Sequence, residues 1–321
     1  MKKMYMILVI LVGLPGYGVD WGYHAHRHIN RLAVFTLPPE MLTFYKHHIQ
    51  FLTLQSVNPD RRRYAVEGEA PRHFIDLDHY GDSAWQNLPH FWPDAVEQIG
   101  EDTLMAHGIL PWYLVQSKQE LTKAFAESDA KSILRISADL GHYIADAHVP
   151  LHTTKNYNGQ LTGQEGIHGF WESRVPELLS EEFDFFVGPA EYISHPQNEA
   201  WNIVSKSHLA VDSVLSTERD LTQQFGTDKK YSFEERLGVT TKVYSKEFTR
   251  AYQQMLRDQP ERRMRSAIKM VGSFWYTCWI DSGQPDLDAL LDLKMDPDEI
   301  KQQATEAQIW KEAKFNARPH E

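Results

Sequence analysis

The apolar positions of this chain recur with a period close to 3.6 residues over most of its length, the spacing that lays one hydrophobic stripe along a helix. Residues 24–36, HAHRHINRLAVFT, place Ile29, Leu32, Ala33 and Phe35–Thr36 on one side. Pro38 and Pro39 close that segment, and a second helix is expected to start with proline in its first turn. The same periodicity predicts helices over 94–107, 111–126, 129–148, 168–179, 197–224, 231–256 and 259–281. In 129–148 the stripe expected to face a core is Ile133, Leu134, Ile136, Leu140, Tyr143 and Ile144. Two-residue alternation is scarce, and no Asn-Gly or Asp-Gly turn stands between alternating runs, so the predicted class is all-α. The polar stretch 153–167, which contains Asn158-Gly159, reads as one long loop.

The ends and the composition narrow this picture. Lys2 and Lys3 precede an apolar run from Met4 to Leu14, and the small residues Gly16 and Gly18 follow it. That is the layout of a secretory signal peptide over residues 1–20, with a run too short to span a bilayer stably. The expectation is an exported chain, periplasmic or extracellular, cut either before Trp21 or after Gly18. Residues 291–321 are expected to form a polar tail. A single cysteine, Cys278 in the apolar run FWYTCWI, excludes an internal disulfide and reads as a buried small hydrophobe. Apolar residues make up 42% of the chain and aromatic residues 12%, an ample core for one large helical domain or two small ones. No repeat or Gly/Ser/Pro-rich linker marks a boundary. A formal net charge of −11 argues against nucleic-acid binding through a basic surface, although a metal site would supply its own positive field.

The chemistry is concentrated in LGHYIADAHVPLHTTKNYNGQLTGQEGIHGFWES, where Asp139, His142, Asp146, His148, His152, His168 and Glu172 are all potential metal ligands. His142 and Asp146 are one helical turn apart, and His168 and Glu172 repeat that spacing, so each pair aims an imidazole and a carboxylate at one point. One such pair is ordinarily a solvated ion pair. Two pairs with His152 of a PLH turn between them match the nitrogen and oxygen donors that zinc takes. Upstream, Trp21-Gly22-Tyr23-His24-Ala25-His26 would offer a free amine, a carbonyl and a histidine if the chain begins at Trp21. Asp60-Arg61-Arg62-Arg63 and the His73 of RHFID add further donors. An arginine fork beside a zinc centre suits a phosphate, so this set points to phosphoester chemistry.

In that order the motifs resemble those of the superfamily of zinc-dependent phospholipases C and fungal-type single-strand-specific nucleases: Trp21 and His26, an Asp, the His73 motif, His142-x-x-x-Asp146, the PLH of His152, and His168-x-x-x-Glu172. GSFWYTCWIDSGQPDL resembles its closing helix, so the likeness covers most of 21–288. The resemblance implies a single multi-helix phosphodiesterase domain over 21–290 and three zinc ions. One zinc would take Asp60, His73, His142 and one oxygen of Asp146. A second would take the Trp21 amine and carbonyl, His26 and the other Asp146 oxygen; the third would take His152, His168 and Glu172. His148 and Asp139 fall outside the pattern and read as supporting residues.

The implied reaction is hydrolysis of a phosphodiester by a hydroxide generated on zinc, with Asp60 orienting the attacking water and Arg63 clamping the phosphate. Glu172 where the nucleases carry Asp, and the lack of paired cysteines, lean towards the phospholipase C branch, acting on phospholipid head groups with transient contact to a membrane surface. The alternative is single-stranded nucleic acid or 3′-nucleotides, whose bases would need an aromatic slot from residues such as Tyr64, Trp85, Phe91, Trp92, Tyr157 or Phe170. A third reading is a noncatalytic, zinc-stabilised binding module. No obligate protein partner is expected.

Overall fold

A computed structural model of the chain describes residues 22–236 and 238–291. The expected signal peptide, Trp21 and residues 292–321 lie outside them. The architecture is built on one helix, Ala130–Ala147, which Asp129 starts by accepting a hydrogen bond from the Ser132 amide at 3.2 Å. Its expected stripe is buried, but so are Ser137, Ala138, Asp139, Gly141, His142 and Asp146 on its other faces. Helices Leu110–Ala126, Gly22–Ala33, Ile49–Gln55 and Gln259–Asp281 surround it. From Ile136 onward the helix is buried on every face, and there it can carry ionisable residues only where they find partners, which marks those polar positions as a site.

Gly141 sets the approach of the first helix. A Cβ there would lie 2.1 Å from Asn30 Oδ1, and Asn30 Nδ2 donates to the Ala138 carbonyl at 2.9 Å. The first helix therefore lies directly on the central one, which brings His26 beside His142.

Several expected helices are interrupted. The 94–107 segment is two helices, Trp92–Ile99 and Glu101–His107, meeting at Gly100, and 197–224 divides into Pro196–His208 and Val211–Phe225. The 168–179 segment widens into a π-helical turn over Phe170–Arg174. Pro176 has no amide hydrogen to return to the Glu172 carbonyl, and its ring crowds that position, so the helix opens there. Phe35, placed on the apolar side in the sequence pattern, is 55% exposed.

The expectation of a helix over 231–256 fails in its first half. Tyr231–Arg236 and Val239–Tyr244 form an antiparallel hairpin, with Phe233 opposite Lys242 and Arg236 opposite Val239, and only Lys246–Met255 is helical. Val239, Thr240, Thr241, Val243 and Tyr244 are β-branched or aromatic, and Gly238 supplies the positive φ of 78° that a tight hairpin turn needs. In the sequence Gly238 is preceded by leucine and not by the Asn or Asp of the usual signature. Among the described residues this hairpin is the sole sheet, so the class is all-α as expected.

Two apolar clusters result. The larger surrounds the central helix; the smaller gathers Leu151, Phe170, Trp171, Val175, Tyr244, Phe248 and Tyr252. The histidines and carboxylates singled out above lie along the seam between them. Among the described residues no helix is long and apolar enough to cross a membrane.

Candidate metal centre

The candidate side chains reach the seam from several separate elements. The central helix brings His142 and Asp146; the first helix brings His26; the short helix Asn58–Arg62 brings Asp60. His73 ends the 3-10 turn Ala70–His73, His152 lies in Pro150–Thr153, and His168 and Glu172 flank the start of the π-helical turn. They meet in three groups that could hold a metal ion: Asp60/His73/His142, His26/His142/Asp146 and His152/His168/Glu172. Within each group the donor atoms lie within 4.8 Å of one another.

Asp146, fully buried, faces two ways. Its Oδ2 is 2.9 Å from His73 Nδ1 and 3.2 Å from His142 Nε2, while its Oδ1 is 3.4 Å from His26 Nε2. Asp60 Oδ1 closes the first group at 3.6 Å from His142 Nε2 and 3.7 Å from His73 Nδ1. Glu172 does for the other side what Asp146 does for this one. Its Oε2 lies 2.8 Å from His168 Nε2 and 3.3 Å from His152 Nε2, and its Oε1 lies 3.3 Å from His26 Nε2. The three groups are thus one continuous chain, a link through Glu172 that the sequence reading did not contain.

The donor set fits cations. His142 Nδ1 faces the Ser56 carbonyl at 2.8 Å, His152 Nδ1 the His73 carbonyl at 2.5 Å and His168 Nδ1 the Tyr157 carbonyl at 3.1 Å. A carbonyl only accepts, so each Nδ1 must carry the proton, and in the neutral ring each Nε2 is left as a lone pair. Those lone pairs point at carboxylate oxygens, acceptor against acceptor, an arrangement that needs positive charge between them. The electrostatics show the same demand. Burial alone would lower the His26 pKa, yet the Glu172 hydrogen bond and the charges of Asp146, Asp60 and Glu172 push it up to about 9. Burial likewise works to raise Asp146, but His142, His152 and His73 hold it well below the usual carboxylate range.

The neighbours of these residues turn elsewhere. His24 Nε2 meets Ser180 Oγ at 2.9 Å and His28 packs on Phe185, so His26 is the histidine of the first helix that enters the seam. Its ring stacks on His142 with centroids 3.9 Å apart. His148 Nδ1 donates to the Ile144 carbonyl at 2.8 Å, and burial pushes its pKa down to about 3, so it stays a neutral supporting residue. Asp139 receives both Arg62 nitrogens, at 3.1 and 3.3 Å. Arg62 also contacts Glu69, a buried carboxylate bonded to Tyr143 and to Arg72, and Glu69 Oε1 stands 3.7 Å from His73 Nε2. This bracket behind His73 went unread in the sequence. Its one signal was Glu69 four residues before His73, the spacing of the ligand pairs, in a stretch without helical periodicity.

Arg63 is 4% exposed, with Nη1 3.7 Å from Asp60 Oδ1. Its Nε and Nη1 have no hydrogen-bond partner among the described residues. Trp21 lies outside the described residues, so its expected amine and carbonyl ligands have no described place.

No family model matches this sequence, and no curated protein matches it. Among solved structures, the alpha toxin of Clostridium absonum aligns with a TM-score of 0.46 at 11% identity, covering 81% of this chain and 65% of that one. The alpha-toxin of Clostridium perfringens from avian strain SWCP aligns with a TM-score of 0.44 at 13% identity, covering 83% of this chain and 65% of that one. The chain therefore spans 65% of the length of either toxin. At that identity and score the likeness says nothing about activity.

Proposed function

We propose that this protein is a zinc-dependent phosphodiester hydrolase holding three ions along the seam. The observation that carries the reading is the three linked donor groups, in which imidazole nitrogens face carboxylate oxygens across gaps of 2.8–3.4 Å. His73, His142, Asp60 and Asp146 would hold the first ion; His26 and Asp146 the second, with the Trp21 amine and carbonyl; His152, His168 and Glu172 the third. Zinc bound there would supply an acidified water and a positive field for the phosphate oxygens.

The protein's own groups provide the rest. Asp60, whose side chain is 11% exposed, would orient a water. Arg63 directs unfilled donors beside it and would grip a nonbridging phosphate oxygen in water-poor surroundings, where a charge-assisted hydrogen bond is strong. Glu69, Arg62 and Tyr143 brace His73 from behind, and the backbone carbonyls of Ser56, His73 and Tyr157 set the other imidazole tautomers.

We favour a phospholipase C-like substrate, on the sequence ground that Glu172 stands in the third group. Single-stranded nucleic acid is the second reading, favoured by Arg27 and Arg61, which stack on Tyr23 and form no ion pair among the described residues. The test offers zinc-loaded protein bis(p-nitrophenyl) phosphate, lecithin vesicles and denatured DNA. Diacylglycerol release without nucleotides supports the first reading, and the reverse supports the second. Failure to cleave any of the three would overturn the hydrolase and leave a noncatalytic zinc module.

A further inference from the structure

Most buried or half-buried cationic side chains here are neutralised by a carboxylate. Arg62 meets Asp139 and Glu69, Arg72 meets Glu69, Arg174 meets Glu234, and Lys230 meets Glu218. Arg27 and Arg61 differ. Neither forms an ion pair among the described residues, although the chain as a whole carries a formal charge of −11. Arg61 Nη1 donates only to Asn58 Oδ1, at 3.3 Å, and Arg27 Nε is buried without a hydrogen-bond partner.

Both guanidinium groups lie against one ring. Arg27 is 5.7 Å and Arg61 5.4 Å from the centroid of Tyr23, which is 9% exposed. Arg27 follows His26 directly, and Arg61 follows Asp60 directly, so the Tyr23 stack joins the two helices that supply those donors. Cation–π contact holds each guanidinium plane on Tyr23 without consuming its in-plane N–H donors. Two like charges thus sit half-buried within 5.7 Å of one ring, beside the donors of the proposed phosphate site, and an anion shared between them would offset their repulsion.

We propose that Arg27 and Arg61, held by Tyr23, form a second anion subsite that takes a phosphate neighbouring the scissile phosphodiester. Resting on the hydrolase reading, this adds a substrate class: molecules carrying two phosphates close together. The second phosphate could belong to a nucleotide strand or to a phosphorylated lipid head group, and the chemistry recognised is the same.

Two measurements test it. In the first, kcat/KM of the zinc-loaded protein is compared for the thymidine dinucleotides pTpT and TpT, and for vesicles of phosphatidylinositol 4-phosphate against phosphatidylinositol. The extra phosphate is expected to raise kcat/KM about tenfold in at least one pair, as one charge-assisted contact would, and the responding pair names the source. In Arg27→Gln/Arg61→Gln the ratio is expected to fall towards one, with Arg61→Lys intermediate because it keeps the charge and loses the fork. The second measurement, calorimetric binding of thymidine 3′,5′-bisphosphate against thymidine 5′-monophosphate, needs no turnover, so it judges the subsite even if the hydrolase reading fails. A bisphosphate preference lost in the double variant supports the subsite. An equal affinity for both ligands in the wild-type protein, or a preference that survives in the double variant, overturns it.

Discussion

Replacing Gly141 by alanine tests whether the contact between the first and central helices sets the site. In an isolated helix this change stabilises by up to about 1 kcal/mol, because glycine loses more backbone freedom on folding. Here the new methyl would lie 2.1 Å from Asn30 Oδ1, well inside the ~3.5 Å of ordinary contact. Asn30 is fully buried and tied to the Ala138 carbonyl, so it has no room to swing aside. Overpacking costs about 1–3 kcal/mol, and stranding the buried Asn30 amide costs about 1–3 kcal/mol more if the helices part. The net expectation for Gly141→Ala is a loss of about 2 kcal/mol or more, read as a lower urea midpoint of the zinc-loaded protein with an unchanged slope. Because the separation moves His26 away from His142, zinc affinity measured by chelator competition falls as well. Asn30→Ala should rescue part of the loss in the double variant, giving a coupling of about 1 kcal/mol or more. A midpoint raised by Gly141→Ala, or strictly additive changes, would refute the close-approach argument.

Other perturbations follow from the same geometry. Asp146→Asn removes the charge shared by two donor groups, so metal content by mass spectrometry should fall by at least one ion and phosphodiester hydrolysis by more than about a hundredfold, since even outer partners cost about 10–100-fold. Chelation should abolish hydrolysis and lower Tm, and zinc should restore both, because an ion bound only by the folded state stabilises it. His148 gives a pH signature. Its folded pKa is about 3 against 6.5 unfolded, so between those values the unfolded chain binds the extra proton and stability declines as pH falls. The loss reaches on the order of 4 kcal/mol by pH 3, and His148→Gln should flatten that part of the stability–pH curve. Gly238→Val forces a β-branched residue to a φ of 78° and should cost about 1–2 kcal/mol. Its effect should extend to zinc affinity at His168 and Glu172, because Tyr244 of the hairpin stacks on Phe170 at 3.8 Å and its carbonyl accepts from Arg174 Nε.

What the sequence by itself determined was local and periodic. The helical class, the buried stripe of 130–147 and the one-turn pairs His142/Asp146 and His168/Glu172 depend on spacings that a regular helix converts directly into direction. The hairpin escaped because its turn lacks the usual dipeptide, and its strands gain their advantage from packing Tyr244 on Phe170 rather than from alternation. Tertiary structure alone decided which oxygen of Asp146 faces which histidine and that Glu172 links His26 to His152 and His168. It also decided that Glu69 backs His73, and that Arg62 is spent on Asp139 while Arg63 is left with open donors. Those facts depend on where five separate segments converge on one buried helix. A carboxylate's partners there are fixed by the cost of leaving a charge unpaired out of water, a quantity with no period along the chain.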